Sequence, residues 1–263
     1  RQPKLFLSVG HDEYWSGHQR ALVSKARENG VHLAFFSGNE MYWRIRYESS
    51  MIDGGDYRTV VVYKDSQEII KLDPAPHEWT GTFRDDRSIN PIGGFPENEM
   101  TGTIFTVNAW RHDALEVPPG YQQHRFWRNT PMVTSQAARG DSPAVLLKGI
   151  LGHEWDEDID NGHRPAGLQR LSETTVDNVW YLQDEGATFD TGSATHHLTL
   201  YRHASGALVF GGGTCQWSWG LDAHHDSPIG VPAERAQPNS LRVGVDQSGP
   251  DATIQQATVN LFG

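Results

Sequence analysis

Two short apolar runs flank an amphipathic stretch near the start of the chain. Lys4–Val9 (KLFLSV) and Val31–Ser37 (VHLAFFS) have the length and content of buried strands. Between them, Ser16 stands three residues before Gln19, which is the spacing of a capping box. Gly17–Asn29 then places Leu22 and Ala26 on one face, ahead of Gly30 as a C-terminal stop. Strand, helix and strand in such close succession make a βαβ unit, which predicts two parallel strands joined by a right-handed crossover.

Beyond Arg46 the periodicity loosens. Tyr57–Tyr63 (YRTVVVY) and Thr103–Val107 (TIFTV) read as strands, and Ala144–Leu151 (AVLLKGIL) as a third strong apolar run. Pro74, Pro76, Pro91 and Pro96 with Gly81, Gly93 and Gly94 mark long ordered loops between them. Residues 195–203 and 207–211, separated by Ala204-Ser205-Gly206, predict a turn-linked strand pair. Residues 226–250 are rich in turn formers. Asp251–Phe262 carries an N-capping Asp and an apolar stripe at Ile254, Ala257 and Leu261, so it predicts a helix. Residues 1–263 contain no repeat and no linker, and one α/β domain with elaborate loops accounts for them. A strand begins within four residues of the first residue and a helix closes at the last, so we expect a piece of a longer polypeptide that carries other domains.

The candidate chemistry gathers at strand ends. Gly10-His-Asp-Glu-Tyr14-Trp15 follows the first strand, and Gly38-Asn-Glu-Met-Tyr42-Trp43 follows the second. Both read G-x-x-x-Y-W. Ligands of open parallel sheets sit outside the carboxyl ends of the strands, which places Tyr14 and Tyr42 near one crevice with Asp12, Glu13, Asn39 and Glu40. Two phenols can hold a hard cation, anchor a polar ligand or act as acids; the same residues also serve as aromatic fillers with one polar tip. Glu154 stands three residues past Leu151, at a third strand mouth. The acidic run Asp156, Asp158 and Asp160 departs from a calcium loop, because its glycine falls one place late and no glutamate closes it. Glu97 and Asn98, and the Arg84-Asp85-Asp86 stretch, offer further polar groups from loops. Cys215 follows a glycine run after a strand, but its surroundings lack the glycine spacing of a nucleophile elbow or a P-loop. His196-His197, His203 and His224-His225 default to surface histidines.

Composition narrows the partners. The chain has 33 acidic against 22 basic residues and a net charge of -11, which disfavours nucleic acid. Nine tryptophans exclude a disordered chain. One cysteine excludes an internal disulfide and fits cytoplasmic and exported proteins alike. The first residues show no signal pattern, and no stretch is apolar enough to span a bilayer.

The segments GHDEYWS (10–16), SGNEMYWR (37–44), FPENEMTG (95–102), GHEWDEDIDNGHRPAGLQRLS (152–172) and GGGTCQWSWGLD (211–222) together resemble one family. It is the C-terminal domain of the large (β) subunit of N,N-dimethylformamidase and its relatives. The resemblance implies a class I glutamine-amidotransferase-like, flavodoxin-like α/β fold: three layers, a mostly parallel sheet and long loop insertions. It also implies a metal-dependent hydrolase of amide or other C–N bonds, acting on a small-molecule substrate, with no nucleotide or flavin. The family's amidase holds iron through two tyrosines and one glutamate and has a small partner subunit. Tyr14 and Tyr42 match the tyrosines; Asp86, Glu97 or Glu154 supplies the carboxylate, with Glu154 preferred. The catalytic candidates are then Glu154, His11, Glu97 and Asn98, and the substrate-binding candidates Asn39, Trp217 and Trp219. The alternative is a non-catalytic module that binds a glycan or protein through Trp110, Trp127, Trp155, Trp217 and Trp219.

Overall fold

The computed structural model describes residues 3–135, 141–222 and 249–263. It opens as the sequence predicts. Strand β1 (Leu5–His11) leads through the short β2 (Tyr14–Ser16) into helix α1 (Gly17–Glu28), and β3 (His32–Gly38) returns parallel to β1 with Leu5 opposite His32 and His11 opposite Gly38. The capping box forms: the Ser16 hydroxyl accepts from the Gln19 amide, and the Gln19 side chain accepts from the Ser16 amide. Gly30 ends the helix with a positive φ of 84°.

The chain then leaves the α/β pattern. Strands β4 (Trp43–Glu48) and β5 (Thr59–Val61) join β2 in a three-stranded sheet. After the short helix α2 (Asn98–Thr101) come β6 (Ile104–Asp113), β7 (Glu116–Val117), helices α3 (Pro119–Gln122) and α4 (Pro131–Thr134), and β8 (Ala144–Val145), which pairs with β7. Strands β9 (Leu151–Glu157), β11 (Thr174–Leu182) and β12 (Phe189–His196) form with β6 an antiparallel sheet of order β12-β11-β6-β9. Strands β10 (Gln169–Arg170), β13 (Thr199–Arg202) and β14 (Leu208–Gly211) complete a five-stranded sheet of order β1-β3-β14-β13-β10. Helix α5 (Ala252–Phe262) follows, capped by the Asp251 carboxylate.

The expected flavodoxin-like, mostly parallel three-layer fold is therefore not the one observed. Among the described residues the parallel pairs are β1–β3, β3–β14 and β2–β4; the other pairings are antiparallel and spread over several sheets. The physical cause is connection length. A parallel pair needs a crossover of about a dozen residues or more. The turns 183–188 and 203–207 are too short for one and force β11–β12 and β13–β14 into hairpins. The Ala144–Leu151 run also breaks: Gly149 takes φ 101°, and the Asp251 carboxylate accepts the Leu147 amide at 2.9 Å. That apolar run splits between β8 and β9, with a loop in the middle. His224-His225 and most of the turn-rich 226–250 stretch lie outside the described residues.

Strand β3 is buried on both faces. Leu33 and Phe35 pack with Trp15, Phe83, Met100 and Val209 on the side of α1. Ala34 and Phe36 pack with Phe126, Trp127, Phe210, Trp217, Ile254 and Ala257 on the side of α5. This alternation follows from the two-residue period of a strand. It also fixes where the ends of β1 and β3 emerge.

Candidate functional site

The loops after β1 and β3 leave their strands side by side, because His11 and Gly38 are register partners. Two further segments close over them. The chain after β14 continues along β3, with the Gly212 amide bonded to the Phe35 carbonyl at 2.7 Å and the Thr214 amide to the Ser37 carbonyl at 2.9 Å. On its other side this segment reaches β9: the Asp156 amide donates to Gly213 and the Cys215 amide to the Glu154 carbonyl, at 3.0 and 3.3 Å. Residues 212–215 thus stitch the antiparallel sheet to the parallel one. Gly38 permits it, since a Cβ there would lie 2.9 Å from the Cys215 nitrogen and the Thr214 Cα.

Side chains from four segments converge at this seam. Glu154 Oε2 lies 2.8 Å from His11 Nε2 and accepts a second hydrogen bond, also 2.8 Å, from Asn39 Nδ2. Glu13 Oε2 stands 3.5 Å from the same imidazole nitrogen. A ligand atom each from His11, Glu154 and Cys215 lies within 4.8 Å of the others. His11 is 38% exposed, whereas Glu154 and Cys215 are buried, so the cluster opens to solvent on the His11 side. The His153 ring lies 6.1 Å from that of His11, on a residue with φ 44°. Asn39 and Met41 also take positive φ, 50° and 52°. Non-glycine residues in that region cost of order 1 kcal/mol or more and collect at functional sites.

The electrostatics divide the titrating groups. Burial opposes the charged form of Glu154, but the hydrogen bond and charge of His11 and the hydrogen bond from Asn39 hold its carboxyl below the usual range. Burial also opposes charge on His11, yet the hydrogen bond to Glu154 and the charges of Glu154, Glu13 and Asp156 raise its pKa. Burial raises Glu13 above an ordinary glutamate. It lowers His153, and it pushes the Cys215 thiol well up, with the Glu154 and Asp156 charges adding to the effect. Cys215 is therefore a protonated thiol, not a free nucleophile.

Beneath the cluster, Asp156 accepts the Asn39 amide at 2.9 Å and the Thr103 hydroxyl at 3.1 Å. Glu40 accepts the Ser37 hydroxyl at 2.8 Å and is pushed well up by burial and by the neighbouring Asp156 charge. These contacts fix the strained turn that carries Asn39.

The remaining candidates are dispersed. Tyr14 is 41% exposed, with the Lys64 ammonium 5.6 Å above its ring. Tyr42 is 3% exposed and packs against Trp43 and Phe105 beneath the Arg84 guanidinium. Its buried hydroxyl has no hydrogen-bond partner among the described residues, and burial raises its pKa. Among the described residues no hydrogen bond joins either phenol to Glu154. Glu97 is spent on Arg84, at 2.9 Å, and Asn98 on Asn161 and the Ile159 carbonyl. Asp86 is exposed. Asp158 pairs with Arg164 and Arg170. Trp127, Trp155 and Trp217 are fully buried and Trp219 nearly so, which withdraws them from a stacking platform; the side chain of Trp110 is outside the described ones. His196 and His197 are core residues rather than surface ones, and burial brings His196 down to about 3.

Sequence reasoning named His11, Glu13, Asn39 and Glu154 but did not join His153 or Cys215 to them. The signal for Cys215 was available in part, as a glycine run directly after a strand. No helix among the described residues is long and apolar enough to cross a membrane. No curated protein matches the chain. The family described as "N,N-dimethylformamidase beta subunit-like, C-terminal" matches residues 1–228, and the chain belongs to that family.

Proposed function

We propose that the protein is a hydrolase of small amides or related C–N bonds, with its reaction centre at His11, Glu13, Asn39 and Glu154. One observation carries the reading: three chain segments bring these groups to a single solvent-reached point with unlike proton affinities. Groups pushed apart in pKa are the usual sign of divided acid and base roles. Family membership supports the reaction class but does not by itself fix a substrate.

In this reading Glu13 is the proton carrier. Its raised pKa makes it a better base than an ordinary glutamate, and it stands beside His11. It takes one proton from water as the hydroxyl oxygen bonds to the amide carbon. It returns that proton to the nitrogen as the C–N bond breaks, giving a carboxylic acid and an amine. Glu154 stays ionised and holds His11 in place, so positive charge at His11 faces the developing oxyanion. Asn39 orients Glu154.

The test is amine release from a panel of formamides and short acyl amides by the full chain, with and without added Zn2+ or Fe2+. Glu13→Gln should lower the rate by about 10²–10⁴, the usual worth of a general base. No release from any amide, or a Glu13→Gln variant with an undiminished rate, removes the proposal.

A further inference from the structure

The cluster has a second property that the tyrosine set lacks: it offers nitrogen, oxygen and sulfur donors together. We propose that His11 Nε2, the Glu154 carboxylate and Cys215 Sγ form a binding site for one first-row divalent cation of borderline softness. The inference rests on the same centre as the proposed hydrolase; with the ion bound, His11 is a neutral ligand and the ion takes the place of the positive charge assigned to His11 in that reading.

Three observations carry it. The donor atoms lie within 4.8 Å of one another. Donors around a tetrahedral ion with bonds of about 2.0–2.3 Å stand roughly 3.3–3.8 Å apart, so shifts of about 1 Å reach that spacing, with His11 and Glu154 parting from 2.8 Å. That movement falls to His11, whose side chain is the exposed one, while Glu154 and Cys215 are fixed in the seam. Second, the donor chemistry suits such an ion: imidazole, carboxylate and thiolate all bind Zn2+ or Fe2+, and two anionic donors neutralise a dication. Third, the outer contacts are already built. Asn39 Nδ2 donates to Glu154 at 2.8 Å, and the Asp156 carboxylate in turn accepts the Asn39 backbone amide at 2.9 Å. Such second contacts orient ligands and set affinity.

His11 and Glu154 share a hydrogen bond where the ion would sit, and Cys215 keeps its proton until a cation reverses the local preference. Solvent reaches the open side at His11, beside Glu13, which leaves a fourth position for water or substrate.

The experiment uses the full chain, freed of metal with chelator and titrated with Co2+ without oxygen. It reads the thiolate-to-cobalt charge-transfer band and the bound metal per chain. One equivalent with that band is expected. Cys215→Ser should abolish the band and weaken binding by at least about 100-fold, and Asn39→Ala should weaken it by about 10–100-fold. The double variant Tyr14→Phe/Tyr42→Phe should keep both band and affinity. Thermal melts show whether Cys215→Ser folds; should it not, His11→Ala, altered on an exposed side chain, must show the same loss of affinity. Binding without a thiolate band, no binding, or loss of metal from the double tyrosine variant overturns the site. Metal binding as described without any amide hydrolysis removes the proposed function and leaves this inference standing. Hydrolysis by chain that shows no band and ignores chelator removes this inference alone.

Discussion

The two G-x-x-x-Y-W segments have the same pattern and opposite fates. The first leaves β1, which is the edge of its sheet, and stays open: His11 and Tyr14 face solvent and Gly10 has free space around it. The second leaves β3, which has β1 on one side and β14 on the other. Its Asn39, Glu40, Met41 and Tyr42 are all buried. The segment after β14 covers it, and Gly38 is pressed against Thr214 and Cys215. Sheet position therefore decides what a motif does. The edge copy supplies the reachable groups, and the central copy supplies the rigid support that aims Asn39 at Glu154.

The strongest way to break this comparison is to truncate the equivalent tyrosines. Removing a buried aromatic costs about 3–5 kcal/mol, whereas a surface change away from packed features stays within about 0.5 kcal/mol. Tyr42→Ala should fall in the first range and Tyr14→Ala in the second, measured by urea unfolding. Equal losses would mean the two copies are not packed differently. The glycines give the next contrast. Gly38→Ala forces overpacking against backbone and should cost about 1–3 kcal/mol, with Cys215 labelled faster by a thiol reagent. Gly10 has φ 86° and open space, so Gly10→Ala carries only the backbone penalty of roughly 1–2 kcal/mol and leaves Cys215 protected. Faster labelling in the Gly10 variant would contradict the assignment of Gly38 as the gate of the seam. Smaller again is the hydroxyl itself. Tyr42→Phe deletes a buried group with no partner among the described residues and should stabilise the chain by about 1 kcal/mol, whereas Tyr14→Phe should do nothing. A loss of stability on Tyr42→Phe would reveal a partner for that oxygen.

The same contrast explains what the sequence could and could not tell. β1, α1, β3 and the final helix were legible to within a residue or two at most ends, because capping residues and apolar periods are local signals. The sheet class was not. It depends on pairings such as β6 with β9 and β11, which short turns and distant contacts impose together. In the site, His11 and Asn39 were readable as polar groups at strand ends, whereas Glu154, expected past the end of its strand, lies inside β9, which begins at Leu151. Cys215 joins them through its contacts with Gly38, 177 residues away in sequence, and with the Glu154 carbonyl. Glu97 looked like an available carboxylate, and nothing in spacing shows that a buried Arg84 claims it. The tyrosine echo was real as a pattern. Its two rings differ in setting, Tyr42 packed in the interior and Tyr14 open to solvent.

The mildest test compares the residues that follow the two glycines, His11 and Asn39. Both contact Glu154, but only His11 titrates near neutrality. Its pKa is raised in the folded chain despite its burial, because Glu154 hydrogen-bonds it and Glu154, Glu13 and Asp156 surround it with negative charge. A histidine raised on folding stabilises fully below its unfolded value of about 6.5, and that contribution is lost as pH rises through the folded value. Glu154 moves the other way. Its contribution is present above an unfolded value of about 4.3 and is lost as pH falls through its lowered folded value. The pair is thus at full strength between these two unfolded values. The destabilisation caused by His11→Ala should be larger at pH 5.5 than at pH 9. That of Asn39→Ala, which removes a neutral donor, should change less across the same range. Thermal melts of both variants beside the parent at the two pH values provide the measurement. A His11→Ala effect that is flat with pH would show that His11 and Glu154 meet as neutral partners and that the site holds no charge pair.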